Sequence, residues 1–266
     1  MYISPISNNN YHYKKNPTKT INAKFKAHPD FYKLARDYEV TASNYFRRGP
    51  CYGSPDERYI DIVNTFKKLF SQNKEQKPIK ILIVGIGNSQ EPFSYLATIK
   101  EIIGNKKLSE VLDLHIIDLQ SKPKEKQLFD NSYYDQWNRP EFASSSFIKD
   151  PKEFSTYGIK YSREYRVNDE IFEFLKSTYN DKTKSKWDTR VQDGIKEYEN
   201  NSFDIISINN TLGYLETRDE CIDVISNTDR ALKKDGVFIT DTYYTGLDLN
   251  PQGNFSKLYN GIFKKL

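Results

Sequence analysis

The sequence predicts an α/β fold, a mostly parallel sheet with helices on both faces. Three observations carry that prediction. The run Ile81 to Val84 is apolar without alternation, as expected of a strand buried on both faces. Gly85 and Gly87 follow at once and lead into a helical stretch, the strand–turn–helix opening of a nucleotide-binding α/β fold. Further buried strands, Val111 to Ile117, Phe203 to Ile208 and Val237 to Thr240, alternate with amphipathic helices along the rest of the chain.

Composition sets the bounds. At 266 residues the chain can bury a sizeable core, as one large domain or one domain with a small appendage. A net charge of +4 is too mild to argue for nucleic acid. No apolar run is long enough for a membrane span, and the first residues lack the apolar stretch of a secretory signal. Cys51 and Cys221 lie far apart and make no metal pattern, which fits a reducing cytoplasmic setting. His12, His28 and His115 are scattered, and His115, inside a strand, reads as a packed core residue. The stretch Asp248 to Gly253 imitates half a calcium loop, but Tyr259 stands where the bidentate Glu belongs, so no metal is expected.

In chain order, residues 1–25 have no helical or strand period and read as a flexible tail. Residues 26–75 form a short helical N-terminal segment. Phe31, Leu34, Ala35 and Tyr38 mark one helix, and Ile60, Ile62, Val63, Phe66, Leu69 and Phe70 mark another over residues 56–71. Residues 76–266 form the main domain. Its first helix has Pro92 in the first turn and closes at Gly104-Asn105. Residues 121–180 read as a small inserted subdomain with a period-2 piece from Tyr161 to Val167. Thr189 to Gly194 reads as a short strand and turn. A helix over 218–234 carries Cys221, Ile222, Ile225 and Leu232 inward and stops at Lys233-Lys234-Asp235-Gly236, with its cations at the negative helix end. Phe255 to Phe263 reads as a last strand.

Two features carry chemistry directly. Gly85 and Gly87 let a ligand approach bare backbone, while Gln90 stands where a dinucleotide fingerprint has its third glycine, which argues against NAD or FAD. Asp118 ends the second strand, where an acidic residue can accept both ribose hydroxyls of an adenosine ligand. A helix cap or turn is the alternative role for Asp118.

Gly87-Asn-Ser-Gln90-Glu91-Pro92-Phe93-Ser94 resembles the cofactor loop of the CheR-type chemotaxis receptor methyltransferases, Gly-x-(Ser/Thr)-Gly-Glu-Glu-Pro-Tyr-Ser. Thr41 to Arg47 is similar to that family's Asn-x-Thr-x-Phe-Phe-Arg, and Tyr165-Arg166-Val167 to Ile171 to its Tyr-Arg-Val-x-x-x-Ile. Ile208-Asn209-Asn210-Thr211 through Tyr214-Leu215 is similar to its Cys-Arg-Asn-Val-x-x-Tyr-Phe, and Leu232-Lys233 to Gly236 to its Leu-Lys-x-x-Gly. The chain closes on Tyr259-Asn-Gly261-Ile262-Phe263, similar to the family's Tyr-x-Gly-Ile-Tyr strand. The motifs run in one order from about Val40 to the C-terminus. Thr41 for Asn, Gln90 for the first Glu and Asn209 for Arg depart from the family.

The resemblance implies a Rossmann-like class I methyltransferase with a mostly parallel, seven-stranded sheet and S-adenosyl-L-methionine as cofactor. It implies cofactor contacts at Thr41, Ser43, Arg47, Gly85, Gly87, Gln90, Glu91, Asp118, Asp193, Gly194, Asn209 and Asn210. It places Arg47 on the cofactor's carboxylate, a two-pronged match for a guanidinium. Gln192-Asp193-Gly194 falls at the adenine, and Tyr214 is the group that orients the acceptor. The implied reaction is methyl transfer to a glutamate carboxylate of a protein, a chemoreceptor in the family itself. The departures leave two alternatives: another protein or small-molecule acceptor, or a cofactor-binding scaffold without turnover.

Overall fold

The computed structural model describes residues 57–73, 77–85, 90–118, 132–134, 142–156, 159–184, 191–209, 211, 212, 215, 217–240, 250 and 253–266. Helix α1 (Glu57–Gln72) enters strand β1 (Ile79–Val84), followed by α2 (Gln90–Ile103), the short α3 (Leu108–Val111) and β2 (Leu112–Ile117). Three strands come next: β3 (Tyr133–Tyr134), β4 (Phe147–Thr156) and β5 (Ile159–Val167). Helix α4 (Asp169–Lys182), β6 (Thr183–Lys184), α5 (Val191–Lys196) and β7 (Phe203–Ile208) continue the main domain. It ends with α6 (Arg218–Ala231), β8 (Leu232–Thr240), β9 (Phe255–Tyr259) and β10 (Ile262–Lys265).

The main sheet has seven strands in the order β6-β2-β1-β7-β8-β10-β9. The first five run parallel, and β10 is antiparallel to both β8 and β9. Chain direction across the sheet reverses beside β1: β2 and β6 add on one side, β7 and β8 on the other. This is a doubly wound, Rossmann-like α/β architecture, with its topological switch point between β1 and β7. A second sheet, in the order β3-β5-β4, is antiparallel and lies between β2 and α4 in the chain.

The unbroken apolar run of β1 serves two cores. Ile79, Ile81 and Ile83 point into a layer shared with α1, α2 and α4, while Leu82 and Val84 point into a layer shared with α5 and α6. Period-2 geometry makes a strand between two helical layers apolar at every position. On α1 the inward face is Tyr59, Ile62, Val63 and Phe66, and Ile60 is turned outward instead.

Three expectations are corrected. Residues 191–196 are the short helix α5, not a strand and turn, and the strand beyond β2 is the two-residue β6. Helix α6 stops at Ala231, so Lys233 lies in β8 and pairs with Asp204 at 2.8 Å; the cation in the last helical turn is Arg230. The stretch from Phe255 is a hairpin of two strands, turned at Asn260-Gly261, where Gly261 has φ 72°. The antiparallel sheet of the insertion ends at Val167. Helix α4, which follows it, buries Ile171, Leu175 and Tyr179 in the same layer as α2.

Candidate functional site

The parallel strands end together at one edge, and Gly85, Asp118 and Asn209 are the first residues beyond β1, β2 and β7. In an open α/β sheet, ligands bind at this edge, beside the switch point. Gly85 has φ 76°, a left-handed conformation in which its N–H donates to the Ile117 carbonyl at 2.7 Å. A Cβ at Gly85 would also run into Thr211 Oγ1. The end of β1 is therefore kept as bare backbone by conformation and by space.

Thr211 acts as a brace. Its hydroxyl lies 2.9 Å from the Val84 carbonyl and 3.1 Å from that of Asn209, so the ends of β1 and β7 are joined by one side chain. Thr240 does the same one strand further on, its hydroxyl donating to the Ile208 carbonyl at 2.8 Å. Asp118 is buried where β2 ends. Helix α5 lies against the same strand end: a Cβ on Gly194 would come within 2.9 Å of Ile117 Cγ2. Gly85, Asp118 and Gly194 thus gather around the end of β2.

Glu91 and Asn209 form a second group. Glu91, in the first turn of α2, is 6 % exposed, and its Oε1 accepts from Ser207 Oγ at 2.8 Å and from Asn209 Nδ2 at 2.6 Å. The Asn209 amide nitrogen also lies 3.2 Å from the Tyr95 hydroxyl and 2.9 Å from Ser207 Oγ. A buried carboxylate is tolerated only when donors replace its lost water. This network supplies them, and it fastens the start of α2 to the end of β7. Glu91 and Asn209 are tied to each other beneath the strand ends, a supporting role that their position in sequence does not reveal.

The remaining expected residues are less fully placed. Gln90 and Asp193 sit in the first turns of α2 and α5, with their backbones alone described. Thr41, Ser43, Arg47, Gly87, Asn210 and Tyr214 lie outside the described residues. Arg166 belongs to the insertion: it donates to Asp150 at 2.7 Å and Asp169 at 2.6 Å, clamping β5 to β4 and to α4. His115 packs edge-on against Tyr198 and Phe203 and lies 3.2 Å from Asp113. Among the described residues no cluster of His, Cys, Asp and Glu is arranged to hold a metal, and no helix is long and apolar enough to cross a membrane.

Three contributing residues carried a signal that sequence reasoning passed over. Ser207 interrupts an otherwise apolar strand, and a hydroxyl buried there needs a partner. Thr211 sits one step beyond the paired asparagines. Tyr134, in β3, is buried and hydrogen-bonds Ser94 in the first turns of α2; burial pushes its hydroxyl pKa well above the usual tyrosine value. Through Tyr134 the inserted sheet touches the helix that starts at the site.

No family model matches the chain, and no curated protein is similar to it. Solved structures similar to it include MNMC2 from Aquifex aeolicus, at 16 % identity over 81 % of this chain and 63 % of that one, with a TM-score of 0.42. An O-methyltransferase family protein from Burkholderia thailandensis matches at 12 % identity over 73 % of this chain and 41 % of that one, with a TM-score of 0.35. The chain spans less than two thirds of the length of either.

Proposed function

We propose that this chain is an S-adenosyl-L-methionine-dependent methyltransferase of the class I, Rossmann-like kind, and that its acceptor is the side-chain carboxylate of a protein glutamate. One observation carries the cofactor half: bare backbone at Gly85 and a buried carboxylate at Asp118 end two adjacent parallel strands at the switch point. These residues fit an adenosine ligand. Asp118 would accept from the ribose hydroxyls, and Gly85, at φ 76°, supplies the tight turn that ends the neighbouring strand. The sequence resemblance adds Thr41, Ser43, Gly87, Gln90 and Asn210 as further contacts, and Asp193 and Gly194 beside the adenine.

S-adenosyl-L-methionine, when bound, supplies an electrophilic methyl group on a sulfonium. A glutamate side chain is already ionised near neutral pH, so the protein has no proton to remove. Its tasks are to hold, to align and to keep water out. Arg47 would grip a carboxylate and Tyr214 would orient the acceptor oxygen. The carboxylate acceptor rests on the CheR resemblance, and a chemoreceptor in the cytoplasm is the partner that resemblance proposes.

Calorimetry with S-adenosyl-L-methionine and with its demethylated product tests the cofactor; one site for each is expected, and binding of neither overturns the reading. Incubating purified protein with a native lysate and methyl-labelled cofactor tests the acceptor. Label on protein that is released by mild base is expected of a carboxyl ester. Base-stable label moves the assignment to another acceptor. Binding without any labelling moves it to a cofactor-binding scaffold.

A further inference from the structure

Four buried polar side chains meet beside the switch point: Glu91 and Tyr95 on α2, Ser207 on β7 and Asn209 just beyond it. Their hydrogens can be assigned. Ser207 Oγ donates to Glu91 Oε1 at 2.8 Å, so the Tyr95 hydroxyl donates to Ser207 across their 3.0 Å contact. The Asn209 amide nitrogen carries two hydrogens and has three acceptors around it. These are Glu91 Oε1 at 2.6 Å, Ser207 Oγ at 2.9 Å and the Tyr95 hydroxyl at 3.2 Å. The Asn209 carbonyl accepts from Thr211 at 3.1 Å. No amide hydrogen of Asn209 is left for a ligand, although its place beyond β7 invites that role.

The placement of the pair gives it a different task. Glu91 is the second residue of α2, which follows β1, and Asn209 is the first residue beyond β7. Their contact therefore ties together the two sides of the crevice between β1 and β7, where an open α/β sheet takes its ligand. In the order β2-β1-β7, the end of β2 lies two strand spacings from the end of β7, about 10 Å. Asp118 and the Glu91–Asn209 pair thus serve different parts of an elongated ligand.

We propose that Glu91 and Asn209 are positioning residues. As one hydrogen-bonded pair they set the separation of α2 and β7, and with it the affinity for the amino-acid end of S-adenosyl-L-methionine, which neither side chain touches. This inference rests on the cofactor reading above. Calorimetry on the full chain tests it with two ligands, S-adenosyl-L-methionine and 5′-methylthioadenosine, which lacks the amino-acid end. Asn209→Asp sets one carboxylate against another and should weaken S-adenosyl-L-methionine by roughly tenfold or more. Adding Glu91→Gln exchanges donor and acceptor, so the double variant should bind within about threefold of the parent. The parent and both variants should bind 5′-methylthioadenosine alike. If Asn209→Asp does not fold, Ser207→Ala replaces it; that variant removes a donor to Glu91 and should weaken S-adenosyl-L-methionine about threefold or more. Unchanged affinity in the folded single variant overturns the proposal. A double variant no better than Asn209→Asp does the same, because each residue would then meet the cofactor separately. Equal loss of both ligands would make the network a general support of the fold and also overturns it, as does a parent that binds S-adenosyl-L-methionine but not 5′-methylthioadenosine. A parent that binds neither ligand overturns the cofactor reading itself.

Discussion

Gly85 shows how a residue can answer to fold and function at once. Its φ of 76° costs an ordinary L-residue about 1–2 kcal/mol, and the collision with Thr211 adds to that. Gly85→Ala should therefore destabilise the protein by about 1–3 kcal/mol in a denaturant titration. Adding Thr211→Ala should recover part of the loss, because it removes the collision and leaves the dihedral strain. Loss of ligand binding in a Gly85 variant consequently reports folding as much as blocked backbone. Asp118 is the cleaner probe of the site. If it accepts ribose hydroxyls, Asp118→Ala should weaken S-adenosyl-L-methionine by about 1.5–3 kcal/mol, the scale of hydrogen bonds to a charged group. Its unfolding temperature should stay close to that of the parent; a large fall with unchanged affinity would instead make Asp118 a cap. Cys221 is the opposite case, a residue with packing and no chemistry. Burial and then the nearby Glu220 carboxylate push its thiol up to about 11. At pH 8 about one molecule in a thousand carries the reactive thiolate. In a Cys51→Ser background, the native protein should resist a thiol reagent that labels the unfolded chain at once.

Elements were legible in the sequence where one local signal dominated. Residues 57–72 form a helix because apolar side chains recur at helical spacing, and β1 forms around the unbroken apolar run from Ile81 to Val84. The misreadings share a cause, which is that tertiary contact outvoted local pattern. Asp235 adopts φ 64° and Gly236 fits a space that a Cβ would fill, so β8 begins with an irregularity that resembles a helix end in sequence. Within the site, Gly85 and Asp118 could be read from their places at strand ends. The Glu91–Ser207–Asn209 network could not, because Glu91 and Ser207 are 116 residues apart. Helix α4 is anchored in a comparable way. Glu170 in its first turn accepts from Lys100 at 2.8 Å and from the Leu108 N–H at 3.0 Å, joining α4 to α2 and α3. Desolvation raises its pKa, but Lys100 and the Leu108 N–H outweigh that and hold it below the usual value. A depressed folded pKa stabilises the protein above the unfolded value near about 4.3, and that contribution is lost as pH falls through the folded pKa. Glu170 is partly solvated, so about 1 kcal/mol or less is at stake. The stability gap between the parent and Glu170→Gln should be constant from pH 7 to about pH 5 and should close below about pH 4. A gap that persists to pH 3 would mean that packing, not charge, sets it.

At the scale of the whole molecule, the chain combines a sheet covered on both faces with an antiparallel insertion that, among the described residues, is anchored at one end. The anchor is visible in burial. Tyr134, Phe147 and Val167 belong to the core layer that also holds α1, α2 and α4. Along the same strands exposure then rises, with Ile148 at 38 % and Ile159 at 57 %. Beyond Lys152 and Arg163 the pair β4–β5 continues as a hairpin, Glu153 opposite Ser162 and Thr156 opposite Ile159. A hairpin held mainly by its own ladder opens at low free energy, independently of the global transition. Two outcomes should follow. Amides of Glu153 to Ser162 should exchange with solvent far faster than those of β1 and β7. Replacing residues 153–162 by Asn-Gly, which suits a two-residue turn, should leave the unfolding temperature within a few degrees of the parent. Val167→Ala, at the anchored end, should by contrast cost about 1–3 kcal/mol, because it opens a void in a filled core. The shortened protein should also bind S-adenosyl-L-methionine as the parent does, since among the described residues the insertion reaches α2 through Tyr134 and Ser146, both outside the replaced stretch. Weaker cofactor binding after the replacement, with the unfolding temperature preserved, would mean that the hairpin itself helps to shape the site.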